Sequence, residues 1–398
     1  MAGASKKVNA VIGQSGGPTV VINQSLVGCV EGLKKMKNIG KILGARNGVK
    51  GIINDNFVDL TRLSKTTLER LAVTPSSALW SSRDKPDEAY CRKILAAFEK
   101  HDVRYFFYIG GNDSSDTCRI VNDLAKQAGY DLTSFHVPKT IDNDLMENDH
   151  TPGFPSAARY VACAFIGDNL DNAALPGVKI NVVMGRHAGF LTAASVLARQ
   201  HKGDGPHLIY VPEQHFDVDK FIGDVDRIYK QQGRCLIAIS EGVHDKDGTP
   251  IAQKLAQGSV EKDSHGNVQL SGTGALGDFL ADEIKKRLSI KRVRADTFGY
   301  IQRSYPGSAS PVDQAEARKS ALTAVQYAAK GVKEGSIAIK RKSNKPYKVS
   351  FELIPLTAVA AKTRTLPSDF MAGDNDISDK FKAYLLPLVG KLPIVERL

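Results

Sequence analysis

Short apolar runs alternate with amphipathic stretches along most of the chain. The first run, Val8–Ile12, is followed by Gly16-Gly17 and then by apolar residues at helical spacing from about Val20 to Lys37. Lys41–Ala45 predicts a second strand. Asp87–Lys100 puts Ala89, Ile94, Leu95 and Phe98 on one side of a helix. Arg104–Ile109 is dense in aromatic and β-branched residues and predicts a buried strand. Gly110-Gly111 punctuates it before a helix over Ser114–Ala128. Phe135–Pro138, Ile180–Met184, Leu208–Val211 and Leu236–Ser240 continue the strands, with a helix over Ser156–Leu170. This βαβα rhythm implies parallel sheets covered by helices on both faces, with ligands at the carboxyl ends of the strands.

Two segments break the rhythm. Asp245–Gly274 is rich in turn residues and predicts an inserted hairpin. From about Glu334 the pattern weakens into short strands around Pro346, Pro355 and Pro367, ending in a helix near Ser378–Leu385. That region reads as a C-terminal appendage.

Composition narrows the picture only a little. With 398 residues, 42% apolar and 24% charged, the chain is ordinary globular material, which excludes a disordered chain, a collagen and a coiled coil. The balance of 54 basic and 43 acidic residues, +11 net, suits an anionic ligand: nucleic acid, a membrane surface or a phosphorylated small molecule. Basic runs at Lys285–Arg287 and Lys340–Lys342 read as solvated faces, and no basic patch is interleaved with aromatics as strand binding requires. Nucleic acid is therefore not expected as a partner. Five scattered cysteines without a Cys-x-x-Cys pair point to a reducing compartment. The most apolar long stretch, Ile180–Leu197, is interrupted by Arg186 and His187. The expectation is a soluble cytoplasmic protein with no membrane partner.

The strand-to-helix junctions carry the candidate chemistry. After the first strand, Gly16 and Gly17 allow backbone N–H groups to approach a phosphate, although a tight turn is the simpler account. Gly110-Gly111-Asn112-Asp113-Ser114 brings glycines, an amide, a carboxylate and a hydroxyl to a helix start. It reads as a helix cap or as a phosphate site with Asp113 on Mg²⁺. In Lys139-Thr140-Ile141-Asp142-Asn143-Asp144, a lysine beside carboxylates supplies a cation for phosphoryl oxygens and a base for a hydroxyl nucleophile. Met184-Gly185-Arg186-His187 ends a later strand, with His187 read as a satisfied histidine near the core. Ser240-Glu241-Gly242 ends another strand, and Arg294 with Tyr300-Ile301-Gln302-Arg303 gathers groups suited to a sugar phosphate.

Taken together with Ser82-Arg83, these motifs resemble the phosphofructokinase family in number, order and spacing, over roughly residues 7 to 330. The resemblance implies an enzyme phosphorylating the 1-hydroxyl of fructose 6-phosphate. The expected fold is α/β: two Rossmann-like parallel-sheet domains covered by helices, with the C-terminal appendage. Residues 1–141 with about 272–303 form the expected donor-binding domain. Residues 142–271 with about 304–330 form the sugar-phosphate domain, and 331–398 the appendage. By resemblance, Asp142 accepts the hydroxyl proton beside Thr140, and Gly16, Gly17, Arg83, Gly111, Asn112 and Ser114 line the donor site. The acceptor takes Thr140, Ile141, Asp142, Met184, Gly185, Arg186, Glu241, Arg294, Tyr300, Ile301, Gln302 and Arg303. Arg294 matches an arginine that crosses from a neighbouring subunit, implying a homodimer or homotetramer. Lys179, offset from the family's other crossing basic residue, is left out. Tyr300 stands where ATP-dependent members often have histidine.

Two positions concern the donor. ATP-dependent members resemble GGDG and PGTIDND; here Asp113 and Lys139 replace two of those glycines, as in pyrophosphate-dependent members. A carboxylate about 4 Å from the α-phosphate of ATP would cost on the order of 4 kcal/mol at an effective dielectric near 20. Lys139 would neutralise the transferred phosphoryl group. Asn112 replaces the metal-binding Asp of ATP users, which leaves Asp113, pyrophosphate oxygens and water for Mg²⁺. The reading is a reversible transfer from pyrophosphate to fructose 6-phosphate. The alternatives are an ATP-dependent enzyme or a non-catalytic regulatory subunit.

Overall fold

The computed structural model describes residues 7–255 and 274–397. Its strands, in chain order, are β1 (Val8–Gln14), β2 (Ile39–Ala45), β3 (Phe57–Asp59), β4 (Val103–Gly110), β5 (Thr133–Pro138), β6 (Val178–Val183), β7 (Leu208–Tyr210), β8 (Cys235–Ser240), β9 (Val293–Thr297), β10 (Glu334–Asn344) and β11 (Tyr347–Ile354). One sheet runs β11-β10-β5-β4-β1-β2-β3 and the other β7-β8-β6-β9. In the first, only the outer pairs β2–β3 and β10–β11 are antiparallel; the second is parallel throughout. The α/β class holds.

Helices cover both faces of the first sheet, so its central strands are apolar on both sides. In β4, Phe107 and Ile109 join a core with the helices Ile22–Leu33 and Pro311–Ala329. Phe106 and Tyr108, pointing the other way, join a core with the helices Glu88–Lys100 and Asn112–Gln127. The Ile22–Leu33 and Pro311–Ala329 helices lie so close that a Cβ on Gly28 would stand 2.4 Å from the Arg318 carbonyl oxygen. Successive connections leave β1 on one side and β4 on the other. The carboxyl ends of these two strands therefore flank a reversal of strand order, where such sheets bind ligands.

The chain divides into two compact units, residues 1–154 with 311–363 and residues 155–310 with 364–398. This corrects the expected boundaries in four places. The helix Ala275–Leu288 and β9, assigned above to the donor domain, belong to the second unit, because β9 pairs with β6 and Leu276 and Leu280 enter the second sheet's core. The helix Pro311–Ala329, assigned to the sugar domain, belongs to the first unit through its Ala321, Ala324 and Val325 face. Residues 331–398 are not one appendage. β10 and β11 extend the first sheet through β5, while residues 364–398 go with the second unit. The first unit also runs to residue 154 rather than 141.

Of the expected hairpin at 245–274, the described part is a tight turn at Asp245–Thr249 leading into the helix Ile251–Leu255; residues 256–273 lie outside the described residues. All five cysteines are free thiols. Among the described residues, no helix is long and apolar enough to cross a membrane.

Candidate functional site

In the first unit, three loops leave the carboxyl ends of β1, β4 and β5, and backbone hydrogen bonds tie them together. The Ser15 N–H donates to the Ile109 carbonyl (2.9 Å), that of Gly16 to Ser82 (2.8 Å), and that of Lys139 to Gly110 (2.9 Å). The Ser15 and Ser114 hydroxyls hydrogen-bond across the two glycine loops. Gly110 has no room for a side chain, since a Cβ would lie 2.0 Å from Ser114 Oγ and 2.2 Å from Ser15 Oγ. Gly16, at φ +72°, sits beside the Lys139 ammonium, where an added Cβ would be 3.0 Å from Nζ. Lys139 is only 3% exposed, so its charge is held inside this junction rather than in solvent.

Gly111 caps the helix Asn112–Gln127, and Asp113 occupies its first turn, where the helix dipole favours a negative charge. Asp113 is half-exposed and pairs with Lys85 at 3.2 Å, while the Asn112 amide turns away to Thr363 Oγ1 (3.1 Å). Lys85 offsets part of the carboxylate's charge, so the penalty against a nearby α-phosphate is smaller than the bare-charge figure. No group of three or more His, Cys, Asp or Glu side chains among the described residues forms a metal cage. One accessible carboxylate is nevertheless enough for Mg²⁺, which takes most of its ligands from phosphate oxygens and water.

Thr140 and Asp142 follow Lys139. The Asp142 N–H donates to Thr140 Oγ1 (3.1 Å), and the loop's return limb closes on Thr140 through Thr151 Oγ1 (2.7 Å). Ile141, between Thr140 and Asp142, is buried. Arg83 is exposed, in the segment whose Ser82 carbonyl receives Gly16.

In the second unit the expected residues stand at the carboxyl ends of β6, β8 and β9, except Arg294 near the start of β9. Gly185, at φ +150°, would place a Cβ 2.8 Å from Ser240 Oγ, and its carbonyl accepts the Ser240 hydroxyl at 2.5 Å. Gly242 is equally constrained, since a Cβ there would meet the Arg186 carbonyl oxygen at 2.1 Å. Glu241 follows, its N–H donating to Val183 (3.0 Å). Gln302 is buried: its Oε1 accepts the Met184 N–H (3.4 Å) and its Nε2 donates to the Gly299 carbonyl (2.8 Å). It joins Met184-Gly185-Arg186 to Tyr300–Arg303. The Arg303 guanidinium stacks over the Tyr300 ring at 4.6 Å, whereas Ile301 is 62% exposed. Arg294 extends from the edge strand β9 and donates to Val293 O (3.0 Å). His187 is exposed, not near the core as expected, because it follows Arg186 out of the sheet.

Two residues that the sequence reading did not single out, His136 and Glu213, support these loops, and Lys179, set aside above, has a structural role. His136, fully buried on β5, donates from Nε2 to the Gly110 carbonyl (2.8 Å), with Nδ1 against Ser336 Oγ (2.7 Å). Burial, with the Lys139 charge nearby, lowers its pKa to about 4. It is a neutral strut under the glycine loop. Glu213 accepts the Gly189 N–H (2.9 Å) and the Leu366 N–H (2.7 Å), and burial pushes its carboxyl up. Lys179 is compensated by Asp296 (2.6 Å) and Asp168 (3.2 Å), so it is a structural cation of the second sheet. Only the position of Glu213 two residues after a buried strand could have flagged it.

Comparisons with known proteins agree with this arrangement. A family model described as phosphofructokinase matches residues 9–328. The chain is 56% identical over 386 residues to the pyrophosphate–fructose 6-phosphate 1-phosphotransferase of Rhodospirillum rubrum, covering 97% of this chain and 95% of that one. It is 38% identical over 392 residues to the protein of the same name from Halomonas elongata, covering 96% and 91%. Among solved structures, the pyrophosphate-dependent phosphofructokinase of Nitrosospira multiformis matches with a TM-score of 0.86 at 33% identity, covering 98% of this chain and 94% of that one.

Proposed function

The chain belongs to the phosphofructokinase family, and on that premise we propose that it moves a phosphoryl group from pyrophosphate to the 1-hydroxyl of fructose 6-phosphate, giving fructose 1,6-bisphosphate and phosphate. The observation that carries the reading is the donor junction of the first unit. A buried Lys139 ammonium lies against Gly16, and the Asp113 carboxylate opens the helix that follows Gly110-Gly111. A short donor with no nucleoside to anchor it depends on such direct contacts.

In this reading the N–H groups of Gly16, Gly17 and Gly111, with Ser114 and Arg83, bind pyrophosphate, while Asn112, its amide held by Thr363, shapes the loop. Lys139 stabilises charge on the transferred group and on the departing phosphate. Asp142, beside Thr140, takes the proton of the attacking hydroxyl. When bound, Mg²⁺ neutralises pyrophosphate oxygens, and Asp113 is the side chain that would hold it. Met184, Gly185, Arg186, Glu241, Tyr300 and Arg303 hold the sugar phosphate. Gln302 positions that loop, and Arg294 serves a neighbouring subunit, so the enzyme works as at least a homodimer in the cytoplasm. Pyrophosphate hydrolysis and sugar phosphorylation are similar in free energy, so the reaction runs both ways.

The test is a stoichiometric one. With Mg²⁺, each pyrophosphate consumed should yield one fructose 1,6-bisphosphate and one phosphate by ³¹P NMR, and the bisphosphate with phosphate should regenerate pyrophosphate. Pyrophosphate loss without bisphosphate formation, or turnover with ATP alone, would sink the reading.

A further inference from the structure

The loop that carries Asp142 returns to the sheet through a buried charge cluster that the reaction described above does not use. Asp149 N–H donates to the Ile339 carbonyl (2.8 Å) and Asn148 Oδ1 accepts the Ile339 N–H (3.0 Å), which fixes the return limb along β10. The His150 ring, buried, lies between two carboxylates: Nδ1 is 2.7 Å from Asp149 Oδ2 and Nε2 is 2.5 Å from Glu316 Oε2 on the helix Pro311–Ala329. Arg341 on β10 donates to the same Asp149 oxygen (3.0 Å), and the Tyr347 hydroxyl on β11 donates to Glu316 Oε1 (2.6 Å). Asp313, one turn before Glu316, accepts the Gly153 N–H (2.9 Å). The next residue, Thr151, then binds the active limb: its hydroxyl donates to the Thr140 carbonyl (2.7 Å) and its N–H to Asn143 Oδ1 (3.0 Å).

We infer that His150 is a positioning residue: as an imidazolium clamped between Asp149 and Glu316, it holds Thr151 where Thr151 fixes Thr140, Asn143 and, through them, Asp142. The inference deepens the functional reading given above and rests on it. Two carboxylates at hydrogen-bond distance from the two ring nitrogens require two N–H donors. A neutral ring would aim a lone pair at one of them. Burial alone would favour the neutral ring, but hydrogen bonds to Asp149 and Glu316 outweigh it and raise the His150 pKa. Burial also works against the Asp149 charge, yet His150 and Arg341 hold its carboxyl below the usual range. The clamp therefore holds while the ring is doubly protonated and opens as the pH rises through its raised pKa.

Steady-state rates with pyrophosphate, fructose 6-phosphate and Mg²⁺ should be measured from pH 6 to 10 for the full chain, His150→Gln and Glu316→Gln. His150→Gln should lower kcat at least tenfold, leave KM for fructose 6-phosphate within about twofold, and remove the alkaline fall in kcat. Glu316→Gln should move that fall to lower pH. Independently of turnover, hydrogen exchange of residues 140–153 should quicken in His150→Gln, and ¹⁵N NMR should show a doubly protonated ring at pH 7. Failure of pyrophosphate turnover with these two signatures intact would strike only the functional reading. A neutral ring at pH 7, or wild-type exchange and pH profile in folded His150→Gln, would overturn the positioning role.

Discussion

The two units handle charge in opposite ways. The first buries three of its ionisable groups behind the exposed Asp113 and Arg83: Lys139 is buried against Gly16, His136 is neutral beneath Gly110, and His150 is clamped between carboxylates. In the second, the cations expected to meet substrate stand at the rim, with Arg294 on an edge strand and Arg303 stacked on a Tyr300 that is 39% exposed, while Lys179 and Arg234 stay inside as structural charges. Its loops are held mainly by side-chain struts, Gln302, Ser240 and Glu213. Groups that must be preorganised toward developing charge belong in a rigid, dry setting, where they stabilise a transition state most. Groups that capture a charged substrate work well at a solvated edge, where they add affinity and steer encounter. Damage to the first unit should therefore fall on kcat and damage to the second on KM.

The largest effect should come from Asp142→Ala, which removes the proposed base. Turnover should drop by about a hundredfold to ten-thousandfold, with KM for fructose 6-phosphate nearly unchanged. A variant that kept kcat and lost only affinity would break the division between the units. Next in size is an acid effect on the first unit's interior. His136 is neutral when folded, with a pKa of about 4 against the ordinary 6.5, so the unfolded chain binds the extra proton between those values. Its contribution is complete above pH 6.5 and is lost as pH falls toward 4, by about 3 kcal/mol in all. Thermal melts across that range should show a smaller fall in Tm for His136→Gln than for wild type; equal falls would mean that His136 is not the group titrating. The smallest effect should follow Arg303→Ala. Loss of a charged hydrogen bond of about 1.5–3 kcal/mol raises KM for fructose 6-phosphate roughly tenfold to a hundredfold. Its KM for pyrophosphate should stay put, and equal losses for both substrates would place Arg303 outside the acceptor loop.

The same contrast explains what could be read from the residues alone. Each first-unit loop follows an apolar run directly, so Gly16, Gly110, Asp113, Lys139 and Asp142 announced themselves within a few residues of β1, β4 and β5. What links those loops is remote in sequence and left no local signal: His136 reaches Ser336, and His150 reaches Glu316. Domain membership was harder still. The edge strand β9 alternates, with Val293 buried and Arg294 and Asp296 exposed, which marks a strand with one covered face but does not say which sheet it joins. The helix Pro311–Ala329 is alanine-rich, and the Gly28 and Gly32 surface that receives it lies far upstream. Nothing in the sequence signals that the Gln302 amide also ties its loop to Met184 and Gly299.

The choice of donor rests on Asp113 and Lys139, and one ratio tests it: kcat/KM with pyrophosphate over kcat/KM with ATP, at fixed fructose 6-phosphate and Mg²⁺, for wild type and Asp113→Gly. Charge repulsion of even half the bare value of about 4 kcal/mol, given the Lys85 partner at 3.2 Å, predicts a wild-type preference for pyrophosphate of at least about thirtyfold. That ratio should collapse in Asp113→Gly, from both a gain with ATP and a loss with pyrophosphate. Wild-type protein that uses ATP as readily as pyrophosphate, or a ratio indifferent to residue 113, would contradict it.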